Sequence, residues 1–264
     1  MRLTFLGTGT SFGIPQIGCG CAVCRAAREP GSRDARSRVG ALVETDAGRR
    51  LLIDTPPELR EQLVRADVGA VDAVLFTHDH ADHTHGIDDL RAFSAATGRA
   101  VPAYASPETA AGLARKFPYI FDDALKPLPG TFKPEGHLET LAPGAARDIA
   151  GVPVTPFYVP HGMIRVYGYR LGPLGFVTDA KVLPDAAVEV LRRDGGVRVL
   201  VLNALYHKPH PTHLSIDEAV EAARRVGAER TYLIHLTHHT SHASLEAYLP
   251  PDVRPGYDGL VVEV

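Results

Sequence analysis

The stretch FTHDHADHTHG, residues 76–86, holds four histidines and two aspartates. Four of these side chains, His78, His80, Asp82 and His83, have the spacing H-x-H-x-D-H. Protonated imidazoles this close repel one another, and unpaired carboxylates are costly away from water. A divalent cation removes the conflict, because neutral imidazole and carboxylate are its ligands. The run follows VDAVLF, a short apolar segment of strand type. The cluster is therefore expected on the loop leaving a strand, where a rigid sheet can hold several ligands on one centre.

Further donors recur at the ends of strand-like runs. His161 follows VTPFYVP, Asp179 ends LGFVTD, and His235 ends RTYLIH. A lone histidine at a strand end is ordinarily structural or solvent-facing. Three acidic or imidazole residues so placed, together with the H-x-H-x-D-H loop, point to metal. Two cations a few ångströms apart need a bridging carboxylate, several neutral ligands and positions left open for water. The three cysteines, Cys19, Cys21 and Cys24, crowd into CGCAVC. An odd, tightly spaced set makes a poor disulfide framework and suits a metal site instead.

The 264 residues suffice for one large domain or two small ones. A net charge of −3 gives no electrostatic case for stable nucleic-acid or anionic-membrane binding. No apolar run approaches the ~20 residues of a membrane span. The start, MRLTFLGTGTSFG, is unlike a secretory signal, so a cytoplasmic protein is expected. Strand-like runs fall at 2–6, 41–45, 51–54, 73–77, 101–105, 152–157, 166–171, 175–178, 197–202, 231–235 and 260–264. Helical patterns fall at 57–66, 107–116, 184–193, 215–226 and 244–248. Pro57 and Pro107 suit a first helical turn, and Ser215 with Glu218 reads as a capping box. Early strands joined by short turns, and later ones alternating with helices, imply stacked sheets flanked by helices in a single domain spanning 1–264.

With these motifs the chain resembles the metallo-β-lactamase fold superfamily, and within it the PhnP-type phosphodiesterases, which act on phosphoribosyl 1,2-cyclic phosphate. The resemblance runs from LTFLGTGTSFGIPQIGCGCAVCRAA to YDGLVVEV. It implies an α+β fold, a four-layer αβ/βα sandwich of two mixed sheets with the site along one edge. It further implies that His78, His80 and His161 hold one metal, that Asp82, His83 and His235 hold a second, and that Asp179 bridges. Cys19, Cys21, Cys24 and His238, three residues after the last of those ligands, would hold a separate structural zinc, with His239 and His242 as weaker alternatives to His238. Three thiolates and one imidazole close a tetrahedron without a catalytic opening. The PqqB group shares the cysteine pattern but has a degenerate active site, whereas the ligand set here is complete.

Other polar residues take expected roles. Asp54, ending the strand RLLID, would accept a hydrogen bond from a liganding imidazole and fix its tautomer; the alternative is a cap for the following helix. His213, in PTHLS, resembles the family histidine that reaches the substrate phosphate, and could protonate the leaving oxygen. His207 and His210 lie near it in sequence. Asp82 is a candidate for catalysis as well as ligation, and His85 and His137 read as surface histidines. GTGTSFG lacks the lysine and spacing of a phosphate loop, so its glycines are expected to permit tight turning near the metals.

The reaction so implied is hydrolysis of a small, cyclic phosphodiester by a dinuclear, metal-activated hydroxide. Zinc or manganese, with iron also compatible, would occupy the catalytic positions. The alternatives are a tRNA 3′-processing-type enzyme, a thioester or lactone hydrolase, and a PqqB-like non-hydrolytic carrier. The first carries an extended arm for RNA, and no basic glycine/proline-rich insertion is found here. The expected partner is the small substrate, with a homodimer possible.

Overall fold

The computed structural model describes residues 1–264. One sheet comprises β1 (Arg2–Gly7), β2 (Gly40–Glu44), β3 (Arg50–Ile53), β4 (Ala73–Leu75), β5 (Val101–Ala105), β6 (Gly136–Thr140) and the last strand, β14 (Val261–Glu263), in the order β14-β1-β2-β3-β4-β5-β6. The other comprises β7 (Arg147–Ile149), β8 (Val152–His161), β9 (Ile164–Leu171), β10 (Leu174–Val177), β11 (Val199–Asn203), β12 (Arg230–Ile234) and β13 (Val253–Pro255), in the order β13-β12-β11-β10-β9-β8-β7. Both are mixed: β1, β2 and β3 pair antiparallel and β3 through β6 parallel, while β7 through β10 pair antiparallel and β10 through β13 parallel.

The two-residue period of each strand explains why the sheets stack. Leu3 and Phe5 of β1, Val43 of β2, and Leu51 and Ile53 of β3 face Tyr167, Tyr169, Phe176, Val199 and Val201 of the other sheet. Their neighbours Leu6, Leu42, Leu52 and Val74 point the opposite way, beneath helices. Leu200 and Leu202 of β11 likewise point outward into a third buried cluster. Strands buried on both faces must be covered on both. The first sheet is covered by α2 (Leu59–Arg65), α4 (Arg91–Thr97), α5 (Pro107–Lys116) and α6 (Pro118–Phe121), the second by α7 (Asp185–Arg192), α8 (Ile216–Val226) and α9 (His242–Tyr248). Two short helices, α1 (Ala22–Ala26) and α3 (Ala81–Thr84), belong to the sites described below. The result is the expected four-layer αβ/βα sandwich.

Local signals have mixed outcomes. Ser215 caps α8: its hydroxyl accepts from Glu218 N, and the Glu218 carboxylate accepts from Ser215 N at 2.7 Å. Pro107 occupies the first turn of α5, but α2 starts at Leu59, leaving Pro57 in the preceding turn. The glycine-rich segment turns tightly at Gly13, as expected: its φ is 63° and its N donates to Thr10 O at 2.9 Å. Gly7 has no left-handed φ; a Cβ there would lie 1.9 Å from the Arg38 carbonyl oxygen, so its role is close backbone approach. Asp82 and His83 sit on the one-turn helix α3 rather than on an open loop.

Buried tyrosines pin the strand end that carries the histidines. Tyr169 donates its hydroxyl across the sandwich to the Phe76 carbonyl at 2.6 Å, and Tyr167 N donates to Thr77 O at 2.9 Å. The α3 turn is clamped to the end of β3: Thr55 N donates to His83 O at 2.8 Å and Gly86 N to Thr55 O at 2.9 Å. An added methyl at Gly86 would lie 2.0 Å from the Pro56 carbonyl oxygen. Overpacking of this kind costs about 1–3 kcal/mol, or about 3–10 °C in Tm at this chain length. Gly86→Ala should show that loss in thermal denaturation; an unchanged Tm would mean the turn is not clamped in this way.

Candidate metal centres

Four strand ends from both sheets meet at one edge. The segment after β4 carries His78, His80, Asp82 and His83; β8 ends on His161; Asp179 and His235 follow β10 and β12. Asp54, Asp179 and His235 have left-handed φ of 60°, 57° and 57°. Residues other than glycine seldom adopt this conformation, although aspartate and histidine do so more readily than most, and the surrounding contacts hold it. Here it turns each side chain back toward the edge of the sandwich.

Asp179 lies at the centre. Its Oδ2 is 3.9 Å from His78 Nε2, 3.8 Å from His161 Nε2, 3.5 Å from His235 Nε2 and 3.2 Å from His213 Nε2. Its Oδ1 is 3.4 Å from His83 Nε2 and accepts from the Thr178 hydroxyl at 2.6 Å. Donor atoms group as His78–His80–His161, as Asp82–His83–His235, as His78–His83–Asp179 and as His161–Asp179–His213. The structure thus brings together all seven residues expected as metal ligands, in the two expected trios around one carboxylate.

Whether these residues fit a metal can be judged from their unmet valences. Nε2 of His78, of His83 and of His235 is buried without a hydrogen-bond partner. A buried nitrogen left unpaired is costly, and three on one carboxylate are a ligand set. Burial, with neighbouring imidazoles, pushes His78 well below the usual histidine range, and burial lowers His235 to about 4. Both therefore present neutral lone pairs near pH 7. His83 goes the other way: burial would lower it, but the Asp179 and Asp54 carboxylates outweigh burial and raise it well above the ordinary value. Asp179 is held well below the carboxylate range although burial opposes this, because attraction to the His235 and His83 rings and hydrogen bonds from His213 and His83 outweigh burial. The acids demand positive charge among neutral donors. Divalent cations meet that demand.

The remaining predicted residues are placed as follows. Asp54 is fully buried; its Oδ2 accepts from His83 Nδ1 at 2.8 Å and from the Thr77 hydroxyl at 2.7 Å, and its Oδ1 from Thr77 N at 2.8 Å. Its carboxylate holds His83 Nε2 toward the centre, while the residue before α2 is Glu58. Burial raises the Asp54 pKa, partly offset by His83 and the Thr77 hydrogen bonds. His213 faces Asp179 but belongs to neither trio. His85 and His137 are exposed.

A second cluster lies beyond β12. The sulfurs of Cys19, Cys21 and Cys24 are 3.3, 3.5 and 3.3 Å from His238 Nδ1. Zinc bonds of about 2.3 Å to sulfur and 2.0–2.1 Å to nitrogen make tetrahedral S–N edges of about 3.5 Å, which these distances match. No disulfide joins the cysteines. Cys24 N donates to Cys21 Sγ and Gln16 N to Cys24 Sγ, both at 3.4 Å. The first of these lowers the Cys21 pKa, whereas burial pushes Cys24 up to about 11. A buried thiol with that tendency ionises readily only beside a cation. The two weaker candidates lie elsewhere. His242 is buried with Nδ1 3.2 Å from an Arg36 guanidinium nitrogen, and His239 is exposed with Nδ1 2.8 Å from the Thr237 hydroxyl.

Comparison with known proteins follows the same lines. The beta-lactamase superfamily domain matches residues 49–236. A crystal structure described as a new diphosphatase from the PhnP family is 38% identical, has a TM-score of 0.87, and aligns over 100% of this chain and 97% of that one. This chain belongs to the PhnP family. Zinc-bound PqqB from Methylobacterium extorquens, at 19% identity, TM-score 0.80 and full coverage of both chains, shares the fold. An octanoyltransferase of Porphyromonas gingivalis (strain ATCC BAA-308 / W83) is 37% identical over 98% of this chain but only 51% of its own length. The chain spans about half the length of the curated relatives it matches.

Sequence reasoning missed the residues that orient this PhnP-family site. Thr77 bonds Asp54 and lies 3.0 Å from His78 Nδ1; Thr178 bonds Asp179; Thr212 bonds His213. Each precedes a site residue in sequence, a T-H or T-D pair that was available as a signal. Asn203, closing β11, accepts from Ala180 N at 2.8 Å and donates to Ala180 O at 3.1 Å, which fixes the turn carrying Asp179. No sequence cue marks it.

If Cys19, Cys21, Cys24 and His238 hold metal, folding of their loop is coupled to binding. Cys21→Ser should lower Tm by several degrees, as read by calorimetry. A Tm within about 1 °C of wild type would contradict a site that staples this loop.

Proposed function

We propose that this PhnP-family metallohydrolase is a phosphoric diester hydrolase acting on small substrates, cyclic phosphodiesters first among them. His78, His80 and His161 would hold one divalent ion, Asp82, His83 and His235 the other, and Asp179 would stand between them. When bound, such ions supply Lewis acidity at phosphoryl oxygens and a nucleophilic water near neutral pH. The chain's own residues supply the rest. Asp54 fixes the His83 ring, and Thr178 and Asn203 fix Asp179. Asp82, partly exposed, and His80, exposed, leave the approach to the centre open.

The observation that carries this reading is His213. Its Nε2 lies 3.2 Å from Asp179 Oδ2, and the ring stands outside the two expected trios although its donor atom also groups with those of His161 and Asp179. An imidazole so placed can donate a proton to a departing alkoxide, which opening an unactivated diester requires. The family supports a phosphorus centre as the target. A second reading, cleavage of a diphosphate, is favoured by the description of the 38%-identical crystal structure as a diphosphatase. The octanoyltransferase carries no activity onto this chain, because only about half of that protein aligns.

Bis(p-nitrophenyl) phosphate, a small cyclic phosphate, an alkyl diphosphate and a β-lactam, assayed with zinc or manganese, separate these readings. Turnover of the first two is expected, with little or no β-lactam cleavage. Turnover of the diphosphate alone favours the second reading, and efficient β-lactam cleavage without phosphodiesterase activity overturns both. His213→Ala should slow the cyclic phosphate by about 10²-fold or more and the nitrophenyl ester far less, because general acid catalysis matters most for a strongly basic leaving group. Equal slowing of both would assign His213 to phosphate binding.

A further inference from the structure

A cavity of about 660 Å³ opens beside the turn that follows β1, within the range of small-molecule sites. Its walls are residues 12–17 after β1, residues 31–38 before β2, Glu58 and Arg65 at α2, and Tyr257 with Asp258 between β13 and β14. None of the candidate metal ligands lines it. Four arginines, Arg33, Arg36, Arg38 and Arg65, face two acids, Glu58 and Asp258. Four cations less two carboxylates leave +2 here, in a chain whose net charge is −3. Two of the arginines are committed. Arg36 is buried and donates to Thr8 Oγ1 at 2.8 Å and to the Gly256 carbonyl. Burial lowers its pKa only to about 10, so it stays charged near neutrality. Arg38 donates to the Ser11 carbonyl at 2.8 Å and pairs with Glu58.

The other two have donors to spare, since each guanidinium carries five N–H groups in a planar fork. Arg65 uses one on the Leu6 carbonyl at 2.6 Å and lies 3.7 Å from Asp258 Oδ2. Asp258 makes no strong demand on it, because Thr8 Oγ1, Ser37 N and Ser37 Oγ already donate to that carboxylate. Arg33 rests over the Tyr257 ring, 4.6 Å from its centroid, and reaches Glu246, outside the cavity, at 3.5 Å. Both partners of that ion pair are exposed, so it contributes little. Apolar side chains share the same walls: Phe12 is 71% exposed and Ile17 fully so. Bare apolar groups beside unpaired guanidinium groups suit a ligand with an anionic head and an apolar body.

We propose that this cavity binds a small organic phosphate, its dianionic head on Arg33 and Arg65 and its organic body against Phe12 and Ile17. Arginine forks match phosphate oxygens in pairs, which makes them the usual donors to such a head. The charge left over in the cavity balances that of a phosphate monoester near neutral pH. Arg36, fixed by its own hydrogen bonds, adds positive field without moving. The site stands apart from the metal edge, and the proposal does not depend on the phosphodiester reading: that one is judged by turnover and this one by binding, so either can fail alone.

The test titrates benzylphosphonate, which has no ester to hydrolyse, into the full-length, zinc-loaded protein by calorimetry, with inorganic phosphate in parallel. None of the variants alters a candidate metal ligand, so heat from the metal edge is common to all and the differences report the cavity. Arg33→Gln together with Arg65→Gln should weaken benzylphosphonate by about tenfold or more, and wild-type binding should weaken as salt is raised. Phe12→Ser should weaken benzylphosphonate by about threefold or more and leave inorganic phosphate unchanged. Equal binding by wild type and the double arginine variant overturns the proposal, as does the absence of binding to wild type. Inorganic phosphate bound as tightly as benzylphosphonate, with no response to Phe12→Ser, would make free phosphate the ligand and overturn the organic class. Should the double variant lose its fold by circular dichroism, each single substitution, on a half-exposed side chain, decides on the same terms with a loss of about threefold.

Discussion

A single carboxylate enclosed by five imidazoles governs this structure. Asp179 is buried, and only Thr178 gives it a hydrogen bond from outside the histidine cluster. A buried charge left uncompensated costs several kcal/mol, a large share of the roughly 5–15 kcal/mol that holds a domain folded. Compensation has to come from rings carried on both sheets. The fold therefore places four strand ends at one edge, with three non-glycine residues in left-handed backbone conformations. Packing of each sheet against helices on its outer face supplies the rigidity that keeps those ends in register.

The two candidate metal centres are mechanically linked. β12 delivers His235 to one and, three residues later, His238 to the other. Between them Leu236 bridges to Gly9, and Leu236 N donates to Thr8 O at 3.1 Å. Arg36 reaches the same region, bonding Thr8 Oγ1 at 2.8 Å and His242 Nδ1 at 3.2 Å from a fully buried position. A cation on the thiolates would thus order the chain on which His235 depends. That gives the cysteine cluster a bearing on the reaction site although no sulfur faces it.

Legibility in the sequence tracked the range of the forces involved. Strands such as β3 and β11 announce themselves because both faces are buried and every residue but one at an end, Arg50 or Asn203, is apolar. The candidate metal ligands announce themselves because imidazole and carboxylate side by side have few other uses. Strands β6, β7 and β13 passed unnoticed: β6 and β7 are partly exposed and polar, and β13 is only three residues long and ends on Pro255. The short helices α1 and α3 are held by cysteine and threonine contacts rather than by an apolar period, so no periodicity could reveal them. The orienting residues Thr77, Thr178, Thr212 and Asn203 act through contacts that exist only once the sheets have stacked. His242, which sequence proximity drew toward the thiolates, is drawn instead to Arg36 by the packing of α9.

The central claim is that Asp179 organises an open metal cluster separate from the thiolate site. Elemental analysis of metal per chain, on wild type and Asp179→Ala purified alike, tests it most directly. The account predicts about three ions per wild-type chain and about one in the variant, retained by the three cysteines and His238. Equal metal content in the two proteins, or a variant that loses the thiolate-held ion while keeping the others, would contradict it.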